Sequence, residues 1–183
     1  MRKISNDQLS RLSVDDFKVA VKMPLVVVLD CVRSSNNVGS VFRTSDALLV
    51  SKICLCGITA TPPDKEIHKT ALGAENSVDW EYYKTTLEAV ENLRTQGYTI
   101  IAIEQVEHSI SLHQFVPSQD EKLALIFGNE VKGVEQEVVN ICDKTIEIPQ
   151  FGTKHSFNIA VSAGIVLWDL FNKLKMTRNA VGS

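Results

Sequence analysis

Short apolar runs alternate with amphipathic segments along most of the chain. Five runs have the length and composition of strands buried on both faces of a parallel sheet: Leu25–Leu29, Lys52–Cys56, Tyr98–Ile103, Leu123–Phe127 and Thr145–Ile148. Helical periodicity is clearest in four other segments: Val41–Leu49, Thr86–Gln96, Val134–Val139 and Asn158–Lys173. This alternation predicts an α/β fold with a mainly parallel sheet flanked by helices.

The N-terminal segment is predicted to form a short helical arm. Ser13 followed by Asp16 resembles a capping box, which predicts a helix running to Lys22, and Pro24 ends it. No linker, repeat or low-complexity tract follows. Because 183 residues suit one domain, we expect a single domain over 1–183 with an arm over about 1–23.

Composition excludes several classes of protein. With 44% hydrophobic and 22% charged residues, the chain is neither disordered nor collagen-like. It has no apolar run long enough to span a membrane and no apolar segment near its N-terminus, so we expect a cytoplasmic protein without a membrane partner. The spacing of cysteines and histidines assigns no metal, and it favours free thiols at Cys31, Cys54, Cys56 and Cys142.

The formal net charge of −3 is unevenly distributed. Residues 1–74 carry +3, residues 75–143 carry −9 and residues 144–183 carry +3. The two basic ends favour a common positive face despite the acidic total. Lys173, Lys175 and Arg178 belong to the basic C-terminal end and are candidates for binding the phosphate backbone of a nucleic acid.

Polar loops that contain glycine follow three of the predicted strands, at 30–46, 128–137 and 149–158. Ligands of parallel sheets bind beyond the carboxyl ends of the strands, where helix N-termini also offer free N–H groups. The chain has neither a GxGxxG motif nor a Walker lysine, so dinucleotide and nucleoside triphosphate binding lack support. These loops are the candidate functional site.

Three segments resemble the motifs of a known family. NVGSVFRTSDA (37–47), FGNEVKGV (127–134) and IPQFGTKHSFNIAVSAGI (148–165) are similar, in order and spacing, to those of the SpoU or TrmH-type branch of the SPOUT superfamily. The resemblance covers about residues 24–174. Members of this branch methylate ribose 2′-hydroxyls of RNA with S-adenosylmethionine.

The resemblance implies an RNA 2′-O-methyltransferase that uses S-adenosylmethionine and no metal. The compact size favours tRNA as substrate. The alternatives are ribosomal RNA as substrate and a catalytically silent RNA-binding protein of the same fold. The resemblance also implies a C-terminal trefoil knot that forms the cofactor pocket, and a homodimer with active sites near its interface. The final helix, which is apolar nearly all round, is expected to be buried within the fold or against a second copy.

Methyl transfer to an alcohol needs alignment and assistance in losing the hydroxyl proton. The resemblance assigns this work to five residues: Asn37, Arg43, Glu130, Ser156 and Asn158. A guanidinium stays protonated, so we expect Arg43 to stabilise alkoxide charge and clamp a phosphate; an ordinary exposed helical arginine is the alternative. Glu130 is expected to hold loop groups or Arg43, or alternatively to place a charge at the N-terminus of a helix starting near Val134.

The resemblance also assigns cofactor contacts to Gly128, Asn129, Ile148, Ser156 and Phe157. Backbone groups around Gly128 and Ile148 are expected to hold adenine and ribose, and the missing side chain of Gly128 to let the cofactor approach. Val131 stands where many relatives have glycine, and Phe157 where leucine is common. Either Ser156 or Asn158 could also be an ordinary helix N-cap.

Overall fold

The computed structural model describes residues 1–5, 8–9, 11–118 and 120–181, with side chains described as far as Leu174 in the last helix. In these ranges seven strands form one parallel sheet, in the order β3-β2-β1-β6-β4-β7-β5. The strands are β1 (Met23–Asp30), β2 (Val50–Cys56), β3 (Trp80–Tyr83), β4 (Thr99–Ile103), β5 (Ile110–Ser111), β6 (Leu123–Phe127) and β7 (Lys144–Glu147). The predicted α/β class and parallel sheet are confirmed.

Helices connect the strands. They are α1 (Val14–Val19), α2 (Ser35–Ala47), α3 (Lys65–Ala71), α4 (Ala74–Ser77), α5 (Thr86–Thr95), α6 (Gln136–Val139) and α7 (Ile159–Val181). Sequence patterns missed β3, β5, α3 and α4. These elements are short, and β3 exposes Glu81 and Tyr82 because it lies at the edge of the sheet, so it lacks a continuous apolar run.

The sheet is buried on both faces. Along β1, Val27 and Leu29 belong to a core cluster that also contains residues of α2, α3 and α7. Val26 and Val28 point the other way, into a cluster that contains residues of α5 and α6. This double burial explains why the central strands are continuously apolar instead of alternating.

The arm helix is shorter than predicted. The Ser13 hydroxyl accepts a hydrogen bond from the backbone N–H of Asp16 at 3.1 Å, as the capping pattern indicated. The helix nevertheless ends before Ala20, which is extended, because Met23 already pairs with Leu49 in the sheet. Phe17 is buried in the core, which attaches the arm to the fold.

Helix α7 buries one face and leaves another uncovered. Its core side chains are Ile159, Ala163, Val166, Leu167, Leu170 and Leu174. Val161 and Trp168 are 50% and 59% exposed, and Trp168 stacks on Phe171 with ring centroids 6.0 Å apart. Burial of the whole helix within one chain, the first of the two expectations, is therefore excluded, and burial against a second copy stays a prediction.

The basic C-terminal cluster is described only in part. The Lys173 ammonium donates to the Leu112 carbonyl at 2.7 Å and pairs with Asp169, so the chain itself already uses this charge. The side chains of Lys175 and Arg178 lie outside the described residues. The expected RNA-binding role of this cluster stays a prediction.

The cysteines are free thiols, as expected. Cys54 and Cys56 lie in the same core cluster, and burial raises the pKa of Cys54 to about 12. None of the helices in the described ranges combines the length and apolar character that a membrane crossing requires. The single-domain boundaries, the knot and the absence of a metal stay predictions.

Gly39 lies where α2 crosses α3. A Cβ at this position would lie 2.1 Å from the Thr70 hydroxyl and 2.3 Å from the Ile67 carbonyl oxygen. The glycine therefore permits the close approach of two helix backbones.

Replacing Gly39 by alanine should destabilise the protein strongly. Because the Ile67 contact is backbone, the helices must separate, and we expect a loss of about 2–3 kcal/mol in the free energy of unfolding, measured by urea denaturation. Gly152→Ala is the matched control, since its Cβ would meet nothing within 4 Å. Equal stability of the two variants would contradict the close-packing explanation.

Candidate active site

The three polar loops meet beyond the carboxyl ends of the central strands. They are the β1–α2 loop (31–34), the β6–α6 loop (128–135) and the β7–α7 loop (148–158). The last two, with the end of β4, surround a cavity of about 470 Å³. All five residues predicted to contact the cofactor line this cavity: Gly128, Asn129, Ile148, Ser156 and Phe157.

The Glu130 carboxylate joins the second loop to the first. It accepts hydrogen bonds from the backbone N–H groups of Arg33 (2.9 Å) and Ser34 (3.0 Å) and from the Asn37 side-chain amide (3.0 Å). Glu130 therefore holds loop groups, as predicted, and not Arg43. The alternative, a charge at the N-terminus of a helix starting near Val134, does not hold for α6, which begins only at Gln136. The carboxylate lies instead at the start of α2, where it accepts from the N–H of the N-cap residue Ser34.

Asn37 and Asn158 extend this network to the third loop. The Asn158 amide donates to the Asn37 side-chain oxygen at 3.1 Å. The Asn158 oxygen accepts from the N–H groups of Ala160 and Val161 at 2.9 and 3.4 Å, so Asn158 also caps α7. Ser156 lines the cavity, and in the described part of the chain its hydroxyl makes no capping bond. Helix capping therefore explains one of the contacts of Asn158. It does not explain the position of Ser156.

Glu130 is an anion at neutral pH. Partial burial acts to raise its pKa, but the N–H donors of Arg33, of Glu130 itself and of Ser34, with the Asn37 amide, outweigh it and lower the pKa. A carboxylate of lowered pKa that already accepts several hydrogen bonds is suited to holding the loops together and poorly suited to removing a proton.

The Glu130 bonds should make stability depend on pH. A lowered pKa in the folded state stabilises the fold above the unfolded value of about 4.3, and this stabilisation disappears as the pH falls through the folded pKa. Glu130→Gln should therefore cost about 1 kcal/mol at pH 7, and the difference from the unaltered protein should shrink below about pH 4. Urea denaturation across pH 3–7 measures this, with the exposed Glu91→Gln as control. A difference independent of pH would contradict it.

Asn129 organises the β6–α6 loop from within. Its side-chain amide donates to the Cys31 carbonyl at 2.7 Å, and its side-chain oxygen accepts from the N–H groups of Val131 (2.9 Å) and Lys132 (3.2 Å). The left-handed position of this turn is Gly133, with φ of 72°, so valine at 131 is accommodated without strain.

Gly128 is required for a different reason from the one predicted. A Cβ on Gly128 would lie 2.0 Å from the Gly133 carbonyl carbon and 2.1 Å from the Val134 nitrogen. The missing side chain therefore makes room for the protein's own backbone. Gly128 still lines the cavity, so its contact with the cofactor stays a prediction.

Two acidic residues that support the site were missed. Asp30, 1% exposed, accepts from the Thr86 hydroxyl at 2.5 Å and from the Glu135 N–H at 3.0 Å, which connects β1 to the β6–α6 loop. Glu104 lines the cavity. Each stands directly after a predicted buried strand. This position could have indicated both residues, although neither belongs to the three motifs.

Arg43 is separated from the other four predicted catalytic residues. It lies six residues after Asn37, so about 9 Å farther along α2 at 1.5 Å per residue, and it is exposed. It does not line the cavity, and among the described residues its guanidinium has no hydrogen-bond or ion-pair partner. A single chain therefore assembles the Glu130, Asn37 and Asn158 network beside the cavity and leaves Arg43 outside.

The sequence profile of the SpoU rRNA Methylase family matches residues 24–168. The chain belongs to this family. As expected of a SpoU methylase family member, the matched segment contains all three motif loops and the network that connects them.

Named relatives of this SpoU family member act on two kinds of RNA. It is 27% identical over 91% of its length to a tRNA (guanosine(18)-2′-O)-methyltransferase of Borreliella burgdorferi. It is 30% identical over 79% of its length to the 23S rRNA (guanosine-2′-O-)-methyltransferase RlmB of Neisseria meningitidis. The structure of an AdoMet-bound rRNA methyltransferase from Sinorhizobium meliloti superposes with a TM-score of 0.75 at 28% identity over 82% of this chain.

The match covers different shares of the three relatives. The matched part covers 78% of the Borreliella protein, 56% of the Neisseria protein and 56% of the Sinorhizobium chain. The likeness to the last two therefore concerns little more than half of each.

Proposed function

We propose that this protein is an RNA 2′-O-methyltransferase that uses S-adenosylmethionine, with tRNA as its substrate. The observation that carries the proposal is the hydrogen-bond network of Glu130, Asn37 and Asn158, which ties the three family motifs together at the cavity. The chain retains Asn37, Arg43, Glu130, Ser156 and Asn158 together, which argues against a scaffold that has lost its activity.

The cavity fits the cofactor. Its volume of about 470 Å³ is typical of a small-molecule site. Carboxylates of Glu104, Glu130 and Glu147 outnumber the single ammonium of Lys132 in its wall, which suits a cationic ligand. Apolar side chains suited to adenine are also present: Ile103, Phe127, Ile148, Phe157 and Ile159.

Bound there, S-adenosylmethionine would supply a methyl group carried on a sulfonium. We assign its binding to Gly128, Asn129, Ile148, Ser156 and Phe157, which line the cavity. The rigid β6–α6 loop holds the first two, and the Ser156 hydroxyl offers a donor and an acceptor beside Asn158. This preorganisation aligns the reacting groups, which can supply much of the rate.

The chain's own residues then divide the work on the ribose hydroxyl. Arg43 stabilises negative charge on the hydroxyl oxygen as its proton passes to solvent water, and binds a neighbouring phosphate. Glu130 and Asn37 position the loops, because their polar groups already bind one another. Asn158 does the same for the start of α7.

RNA as substrate is supported by exposed basic side chains on all three loops. Arg33, Lys132 and Lys154 each come from a different loop, and all are exposed. Cations placed around a site attract the phosphate backbone. We prefer tRNA over ribosomal RNA because the match to the Borreliella tRNA methyltransferase covers more of both chains than the match to the Neisseria rRNA methyltransferase.

A homodimer is part of the proposal. The uncovered face of α7, with Val161 and Trp168 exposed, supports it, since contiguous apolar surface favours association. Arg43 supports it too, because a second copy can bring to the cavity a residue that its own chain leaves outside.

The experiment that tests the proposed function is transfer of labelled methyl from S-adenosylmethionine to purified tRNA and, separately, to ribosomal RNA, followed by digestion to nucleosides. Labelled 2′-O-methylnucleoside from tRNA is the expected result. Label only from ribosomal RNA would replace the substrate. RNA binding without any transfer would favour the catalytically silent alternative, and label on a base would overturn the proposal.

A further inference from the structure

A carboxylate outside all three motifs has a fixed position in the cavity wall. Glu104 directly follows β4, and its backbone N–H donates to the Ile146 carbonyl of β7 at 3.0 Å. Its side chain bonds to the other side: one oxygen accepts from the Val134 N–H at 3.0 Å, and the second accepts from the Gln105 N–H at 2.9 Å. Glu104 thus bridges the strand end and the β6–α6 loop.

Both oxygens of Glu104 retain the capacity to accept further hydrogen bonds. An ionised carboxylate offers about four acceptor positions, and the two backbone donors occupy one on each oxygen. A Cβ on Gly133 would lie 2.1 Å from one of these oxygens. The absence of a side chain at Gly133 therefore allows the carboxylate to pack against the loop. Because Glu104 lines the cavity, a ligand bound there is within reach of its carboxylate.

Two adjacent oxygens that each accept one more bond match a pair of hydroxyls on neighbouring carbons. A carboxylate beyond a strand of a parallel sheet is a general means of binding ribose hydroxyls. The sulfonium has no N–H or O–H to donate, and the apolar walls suit the adenine ring. The ammonium of the amino-acid part carries its donors on one nitrogen, whereas the ribose offers two donors on neighbouring carbons. The part of the cofactor that best fits Glu104 is therefore its ribose.

We infer that Glu104 binds the 2′- and 3′-hydroxyls of the cofactor's ribose and so selects a ribonucleoside ligand. The inference rests on the proposed function, since it takes S-adenosylmethionine as the occupant of the cavity. It adds a side-chain contact to the backbone contacts implied by the motifs. Since Glu104 also holds the Val134 N–H, it connects ribose binding to the loop that carries Glu130.

The test is calorimetric titration of the unaltered protein and Glu104→Gln with S-adenosylhomocysteine, with the same compound lacking both ribose hydroxyls, and with 5′-methylthioadenosine. Loss of hydrogen bonds to a charged group should weaken S-adenosylhomocysteine and 5′-methylthioadenosine about 10- to 100-fold in Glu104→Gln. The compound without hydroxyls should bind both proteins with Kd values within about threefold. Glu107→Gln, which removes one exposed carboxylate three residues away, should change none of the three.

Each outcome decides a different point. Equal weakening of all three ligands would mean that Glu104 only supports the loop, and would overturn the inference. Weakening of S-adenosylhomocysteine but not of 5′-methylthioadenosine would place Glu104 on the amino-acid part of the cofactor, and would also overturn it. Failure of the unaltered protein to bind S-adenosylhomocysteine would instead overturn the proposed function, and the inference with it.

A second variant covers the case in which Glu104→Gln does not fold. Glu104→Asp keeps the charge and shortens the side chain, so it should preserve the loop better while moving the carboxylate away from the hydroxyls. We expect the same pattern: weaker binding only of the ligands that have both hydroxyls. Unchanged binding of all three by a folded Glu104→Asp would count against the inference.

Discussion

Arg43→Ala should lower methyl transfer to RNA by about 100-fold or more while leaving the affinity for S-adenosylhomocysteine unchanged. The loss is large because the guanidinium is assigned to charge that develops on the ribose oxygen, where a positioned cation acts strongly. Cofactor affinity is preserved because Arg43 does not line the cavity. Single-turnover transfer and calorimetry measure the two effects separately.

Two controls make the Arg43 result specific. Arg43→Lys keeps the charge but not the planar pair of donors, so it should recover only part of the rate. Lys69→Ala removes an exposed positive charge from the neighbouring α3, and should change transfer by less than about threefold. Transfer by Arg43→Ala within tenfold of the unaltered rate would reject the assigned role.

Mixed dimers test why Arg43 lies outside the cavity of its own chain. Arg43→Ala and Asn158→Ala should each be inactive alone. If a second copy supplies Arg43, co-expression of the two variants restores one intact site in each mixed dimer, and activity returns. Absence of any recovery in mixed dimers of verified composition would place both residues in one chain's site.

Trp168→Glu should convert the protein to monomers or insoluble material and abolish transfer. The indole is 59% exposed on the uncovered face of α7 and stacked on Phe171. A carboxylate there would have to be desolvated in a dimer interface, which is costly. Light scattering at micromolar concentration should give a mass near twice 20.3 kDa for the unaltered protein and near 20.3 kDa for the soluble variant.

Val19→Glu is the matched control for this substitution. Val19 is 85% exposed at the end of α1, which packs against α4, so the same introduced charge should leave both mass and activity unchanged. A mass of 20.3 kDa for the fully active, unaltered protein would reject the homodimer. It would also require Arg43 to reach the RNA from its own chain.

Residue patterns were sufficient where burial is strong and local. The central strands β1, β4 and β6 each contain a continuous apolar run because both faces are covered, so their existence and type followed from the pattern of residues alone. The motif segments also predicted polar loops after three strands, and the structure has loops at those positions. Edge elements escaped prediction, since β3 and β5 are short and partly exposed and so carry no continuous apolar signal.

The tertiary structure decided how the site residues are used. No pattern indicates that Glu130 bonds to the backbone of Arg33 and Ser34, or that the space beside Gly128 is filled by Gly133 and Val134. These contacts join segments that are far apart in sequence. The order of the strands in the sheet decides how close the segments lie to one another. The sequence by itself determined the parallel sheet and the three motif loops, because periodicity and local composition encode burial. Only the tertiary structure decided which polar groups form hydrogen bonds, because that depends on atoms brought together from distant parts of the chain.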